Sequence, residues 1–238
     1  MALLSQGYSF IAGLDEAGRG SLAGPVVAAA VILPLCDPVD CSTYFAGVRD
    51  SKQLRAQARE SLYEVIMQHA LAVSVGIGSV EVIDERNILQ ATKFAMRCAL
   101  AQLTIPPQAL LLDALRLPEI ELPQRSIIKG DELCLSIAAA SIIAKVTRDH
   151  MMIQLHEDYP AYGFAQHKGY CTEAHLAALR QHGVTPHHRR SFAPVRELCG
   201  LFQEENLNSM NQLVLSEPAQ EELDELLPLG VKEWEVDA

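Results

Sequence analysis

The chain has 238 residues, of which 49% are hydrophobic and 21% charged. That globular balance excludes a wholly disordered or fibrous chain and suits one domain, or one plus an appendage. No apolar run reaches the roughly 18 residues of a membrane span, and the net charge of −11 argues against nucleic acid only until it is located. Residues 203–238 hold ten acids and one base, Lys232, whereas residues 1–202 carry 20 acids and 18 bases. A nearly neutral body can still present a basic groove.

Taken in order, Tyr8 to Leu14 and Pro25 to Leu33 are apolar runs bounded by Gly or Pro, and their β-branched content predicts strands. A helix is expected from Asp50 or Ser51, either of which can cap it, with Leu54, Ala58, Leu62, Val65 and Ile66 at helical spacing. Ala70 to Ile77 reads as a third strand, and Val80 to Leu103 as helix with a break near Asn87. Pro106-Pro107 feeds a short strand, Ala109 to Leu112, that ends at Asp113. Arg125 to Lys129 suggests a fifth strand, and a helix opens at Asp131. From Leu133 to Val146 apolar residues fall on nearly every face, which predicts burial on most sides. Thr172 to His182 makes another helix, ended by Gly183. Strands mixed with covering helices give an α/β layer architecture. After Phe202 the sequence turns acidic and rich in Asn and Gln, with a weak amphipathic helix expected at Pro218–Leu227.

The N-terminal MALLSQGYSF lacks a basic region, an apolar stretch and a small-residue cleavage site, so a cytoplasmic protein is expected. The six cysteines show no C-x-x-C spacing and are read as cytosolic thiols, several of them buried.

The densest chemical signal is Gly13-Leu-Asp-Glu-Ala-Gly-Arg-Gly20. It fails as a P-loop, because Gly18 is followed by Arg19-Gly20 and not by Lys-Ser/Thr. It also fails as a dinucleotide fingerprint, because Gly18, Gly20 and Gly24 give G-x-G-x-x-x-G. Asp15-Glu16 at a strand end suits hard cations such as Mg²⁺ or Mn²⁺. Neighbouring strand residues point to opposite faces, however, so sharing one ion requires the strand to end or kink there. A surface turn with two solvated acids fits the motif equally. Asp113 closes a strand where α/β folds place their ligands, or is a turn residue. Asp131 is well placed as a helix N-cap. Arg19, Arg49, Lys52, Lys129, Lys145, Arg148 and Lys168 are candidate phosphate contacts or solvated charges. His167-Lys-Gly-Tyr170 sets a ring beside a cation on a loop, as a stacking site would, although a core or surface tyrosine is the blander reading. Seven of the eight histidines follow residue 149 without acids or cysteines at ligand spacing, so they are read as solvated or hydrogen-bonded.

Assembled, these segments resemble the ribonuclease HII family. The matching stretches are Ile11–Pro34, Asp50-Ser51-Lys52, Ile83-Asp84 with Ile88, Leu112-Asp113, Ile127–Met151, His167–Thr172 and His188–Val195. The resemblance spans roughly residues 8–200. It implies a ribonuclease H-like fold, a mixed sheet of about five strands flanked by helices with a helical C-terminal extension. It divides the chain into a catalytic domain, 1–202, and an acidic tail, 203–238, partly helical or flexible. It assigns the metal-binding carboxylates to Asp15, Glu16, Asp113 and Asp131, holding two Mg²⁺ or Mn²⁺ ions. Gly18, Arg19 and Gly20 fall on the family's ribose-reading motif, Tyr170 on its sugar-stacking tyrosine, and Lys52 on a phosphate-contacting lysine.

The implied activity is hydrolysis of RNA in RNA/DNA hybrids and nicking 5′ to ribonucleotides embedded in duplex DNA. It leaves 3′-hydroxyl and 5′-phosphate ends and serves removal of ribonucleotides and primers. The chain is expected to act as a monomer, away from membranes. A DNA nuclease or phosphotransferase with similar carboxylates, and a non-catalytic binding module, are the competing readings. Two departures stand out: Ala114 and Cys171 occupy positions where the family commonly has glycine. In the tail, Gln212–Leu215 resembles the start of a sliding-clamp docking peptide, with Ser216 in place of the aromatic anchor. A helix face or a disordered acidic tail is the reading preferred over clamp docking, and the tail's charge would temper non-specific binding to nucleic acid.

Overall fold

A computed structural model of the chain describes residues 3–35, 41 and 43–200. The acidic tail, the expected helix at Pro218–Leu227 and the Gln212–Leu215 segment lie outside these residues. Among the described residues no helix is long and apolar enough to cross a membrane.

Five strands form one sheet in the order β3-β2-β1-β4-β5. β1 (Ile11–Ala17), β2 (Val26–Ile32) and β3 (Ala72–Gly78) make an antiparallel meander. β4 (Ala109–Asp113) and β5 (Gln124–Ile127) then add in parallel on the other side of β1. This mixed sheet is the one expected, with edges moved by a few residues.

Pleat alternation sends each strand's two faces to different helices. Ala12, Leu14, Ala28 and Ala30 join Ala91, Ala95, Met96 and Ala99 of helix α3 (Ile88–Ala101) in one core. Ala17, Ala29 and Val31 join Ala139, Ala140, Ile142 and Ile143 of the 24-residue helix α5 (Leu135–Asp158) in the other. That second helix is buried on most sides, as its all-round apolar pattern predicts. It lies close enough to β1 that a Cβ on Gly13 would sit 2.2 Å from the Ser136 carbonyl carbon. A third cluster packs Leu22 and Ala23 of the β1–β2 connection against Met152, Phe164, Leu179 and Val195 of the helical C-terminal part.

Helix boundaries depart from expectation where caps decide them. Asp50 caps only a short 3-10 turn, Ser51–Gln53, by accepting from the Lys52 amide at 2.9 Å. Helix α1 starts later, at Ala56, and runs to His69. The expected break at Asn87 is real: at φ 69° it ends α2 (Val80–Arg86), and its side chain caps α3 by accepting from the Leu89 and Gln90 amides. Asp131 is not an N-cap. It lies inside the four-residue helix α4 (Gly130–Leu133), and the long helix begins afresh after Cys134. The thiols differ too. Among the described residues Cys41, Cys98, Cys134 and Cys199 are half-buried and Cys171 is exposed, so none is fully buried.

Candidate active site

Asp15 and Glu16 follow Leu14 in β1, and the strand does not end or kink beneath them. Pairing with β2 continues through Glu16–Ala28 and Ala17–Val27, and the turn comes only at Gly18, with φ 90°. The two acids therefore leave opposite pleats, Asp15 on the α5 face. What opens the site is β4, whose pairing with β1 stops at Leu14–Leu112, one residue before Asp113. Asp15, Glu16 and Asp113 thus lie where β1 and β4 part, near enough for their charges to act on one another. The solvated-turn reading is excluded, since Asp15 is buried and the Glu16 side chain is only 10% exposed.

Asp113 is fixed by the next loop. Its Oδ1 accepts from the Gly130 amide at 2.9 Å, a contact set up by Lys129 in the left-handed region at φ 57°. That same turn delivers Asp131, whose Oδ2 receives the Lys52 ammonium at 3.3 Å. Arg19 closes the other side by donating to Glu16 Oε1 at 3.0 Å.

Burial pushes the Asp15 carboxyl well above the ordinary carboxylate range, and the charges of Glu16, Asp113 and Asp131 push it further. Burial also raises Glu16, against the opposing hydrogen bond and charge of Arg19. Burial pulls the Lys52 ammonium down, but Asp131, Asp50 and Asp15 together hold it above its usual value. Crowded carboxylates that repel each other's charge call for a cation. The donor set is all hard oxygen, and Glu16 Oε2 is buried with no hydrogen-bond partner, so the residues fit Mg²⁺ or Mn²⁺. Among the described residues no three such groups converge as a metal cage; Lys52 is paired with Asp131 and Arg19 with Glu16.

The glycine-containing loop stands beside this cluster. At Gly18 a Cβ would meet Arg148 Nε at 1.9 Å, so the protein itself requires glycine there. Gly20 is different, because a Cβ would meet nothing within 4 Å and its φ is not positive. The loop is stitched to the tyrosine segment by a bridge between Ser21 and Tyr170 and by the Leu22 amide donating to Gly169 O at 2.8 Å. Lys145 Nζ and the Arg148 guanidinium each lie 5.5 Å from the centre of the Tyr170 ring. Lys145 is held by Asp149 at 2.6 Å.

The sequence did not reveal what holds this region. Arg189 is fully buried and donates to the carbonyls of Gly18, Arg19 and Gly24 at 2.7 to 2.9 Å. Burial, with the charge of Arg148, pushes its guanidinium down to about 9. Behind Tyr170 runs a chain of neutral histidines whose tautomers are fixed by their partners. The Thr185 amide donates to His188 Nδ1, leaving His188 Nε2–H to donate to His175 Nε2 at 3.1 Å. His175 Nδ1–H then donates to the Tyr170 carbonyl at 2.9 Å. Two signals were available: an arginine inside an apolar helix run and a histidine pair beside Arg189.

This arrangement has relatives. Residues 12–195 match the sequence pattern of the family described as ribonuclease HII. A ribonuclease HII of Halalkalibacterium halodurans is 57% identical over 201 residues, 84% of this chain and 74% of that protein. The chain belongs to the ribonuclease HII family. It is therefore an enzyme, a ribonuclease H, and so a nuclease and hydrolase. Among solved structures, the ribonuclease H2 of Pyrococcus horikoshii OT3 matches with a TM-score of 0.67 and 30% identity, over 81% of this chain and 98% of that one. A PCNA:RNase HII complex from Archaeoglobus fulgidus matches with a TM-score of 0.66 and 29% identity, over 79% and 96%. The sheet described above is thus that of a ribonuclease HII.

Proposed function

We propose that this ribonuclease HII hydrolyses the RNA strand of RNA/DNA hybrids and nicks duplex DNA on the 5′ side of an embedded ribonucleotide. The products carry 3′-hydroxyl and 5′-phosphate ends, and the enzyme acts as a cytoplasmic monomer in ribonucleotide and primer removal. Asp15, Glu16, Asp113 and Asp131 would hold two Mg²⁺ or Mn²⁺ ions. When bound, such a pair lowers the pKa of water and stabilises the leaving oxygen of a phosphodiester.

The observation that carries this reading is the position of Gly20 beside the buried carboxylates. Neither strain nor packing demands glycine there, so the open space suits a ligand's close approach to the main chain. A ribose 2′-hydroxyl, donor and acceptor at once, is the group that backbone N–H and C=O can read and DNA lacks. Tyr170 offers its ring to the sugar of the next nucleotide. Lys52, its side chain 77% exposed, is free to swing from Asp131 to a phosphate once cations neutralise the acids. Arg19 can leave Glu16 in the same way.

The test is a labelled RNA/DNA hybrid incubated with Mg²⁺, Mn²⁺ or EDTA, using the wild-type chain and Asp113→Asn. Metal-dependent cleavage that falls at least about 10²-fold in the variant supports the assignment. Cleavage in EDTA refutes it, and metal-independent binding without cleavage identifies a non-catalytic module.

The archaeal relative solved with PCNA favours a reading of the tail as well, with Gln212–Leu215 docking on a sliding clamp. A pull-down that loses the clamp when 203–238 are deleted supports this. Clamp retained after the deletion rules it out.

A further inference from the structure

Arg148 is fully buried, yet among the described residues it forms no ion pair. Its three hydrogen bonds all go to main-chain carbonyls: Nε to Pro25 at 2.9 Å, Nη2 to Ala23 at 3.0 Å and Nη1 to Lys168 at 2.9 Å. The first two belong to the loop that follows Gly18–Gly20, and the third to the segment that carries Tyr170. The same side chain fills the space where Gly18 would carry a Cβ, and its guanidinium faces the Tyr170 ring at 5.5 Å. Removing a guanidinium from water is costly without partners, and its rigid planar fork donates from three separate nitrogens to carbonyls of two segments, a spread that the single nitrogen of an ammonium cannot match. Arg189, by contrast, binds carbonyls of the Gly18–Gly24 loop only.

We propose that Arg148 is a positioning residue that locks the Gly18–Pro25 loop and the Lys168–Tyr170 segment to each other, setting the spacing between the ribose-reading backbone and the sugar-stacking ring. The proposal rests on the roles given above to Gly18–Gly20 and Tyr170. It makes the enzyme's discrimination at an RNA-to-DNA junction a property of a residue that touches no substrate. A loop free to drift from the ring still admits uniform RNA, where every sugar presents a 2′-hydroxyl. It loses register where a single ribose is followed by deoxyribose.

The test uses the full chain with Arg148→Lys, which keeps the charge but loses the fork. Two readouts are taken: amide hydrogen exchange of the free protein, and the ratio of kcat/KM on a lone ribonucleotide in DNA to that on a uniform RNA/DNA hybrid. The expected results are faster exchange in residues 18–25 and 168–171 together, with the sheet strands unchanged, and a ratio lowered about tenfold. Loss of folded enzyme scales both substrates alike and leaves the ratio where it was, so a merely structural role does not move it. A double-mutant cycle adds Tyr170→Ala, in which Arg148→Lys lowers the ratio no further. Exchange that rises in only one segment, an unchanged ratio, or a multiplicative double variant overturns the proposal. A wild-type chain with no preference for the lone ribonucleotide refutes the junction reading instead, and the exchange pattern then decides the coupling alone.

Discussion

Gly20 and Ala114 make opposite demands on a side chain. At Gly20 an added methyl meets no protein atom within 4 Å, so stability is set by surface rules and changes by about 0.5 kcal/mol or less. Gly20→Ala is predicted to leave Tm within a degree or two while lowering kcat/KM on a ribonucleotide-containing duplex about tenfold, a loss of about 1.4 kcal/mol of transition-state binding. Melting curves and kinetics on one preparation check both halves. Ala114 follows Asp113 at φ 48°, a conformation that costs a residue with a Cβ about 1–2 kcal/mol. Ala114→Gly relieves that strain but loosens the unfolded chain, leaving a net gain of about 0.5–1 kcal/mol, measurable in urea. Cys171 is not in the left-handed region and stores no such strain.

At the scale of elements, continuity of β1 through Ala17 removes the difficulty that Asp15 and Glu16 posed. The strand stays regular while its pairing with β4 ends, so two pleats reach one opening. The motif itself was legible because Gly, Asp, Glu and Arg crowd eight positions, and Asn87 was legible as a break between two helical runs. Arg148 and Arg189 were not, because their partners are carbonyls as far as 125 and 171 residues away, and main-chain acceptors leave no mark in sequence. Neither was the histidine chain, whose members were read only as solvated or hydrogen-bonded.

That histidine chain makes the fold sensitive to acid. Burial and the neighbouring His175 push His188 down to about 3, and burial also lowers His175 and His167. An unfolded imidazole takes up a proton below pH of about 6.5. Between that pH and the folded value the unfolded state binds more protons, so stability is complete above about 6.5 and falls as the solution is acidified. The slope approaches about 1.4 kcal/mol per pH unit for each such histidine. Asp15 and Glu16 have the opposite sign: burial above all raises their folded values, so acidification favours the folded state at these groups. Urea unfolding from pH 7.5 downward should show the decline, and His188→Gln should flatten it. A wild-type profile that is flat between about pH 6.5 and 5 would contradict the neutral tautomers.

For the whole molecule, charge is divided between an almost balanced body and a strongly acidic segment, residues 203–238. Polyanionic DNA repels such a segment through the solvent, an effect that salt screens. Deleting 203–238 is predicted to tighten binding to plain duplex DNA severalfold at about 50 mM salt, with the difference gone near 0.5 M. Equal affinities at low salt would show that the acids lie away from the bound duplex. The layered sheet followed from apolar runs and punctuation, while the placing of Tyr170 beside Gly18–Gly20 needed three segments of the chain folded together.

The most direct measurement compares three end-labelled duplexes, all DNA, DNA with one ribonucleotide, and an RNA/DNA hybrid, each with Mg²⁺, Mn²⁺ or EDTA. The account predicts metal-dependent nicking on the 5′ side of the lone ribonucleotide, cleavage of the hybrid and an intact DNA duplex. Equal cutting of the all-DNA duplex would contradict it, because a site that reads a 2′-hydroxyl through Gly18–Gly20 has nothing to hold there.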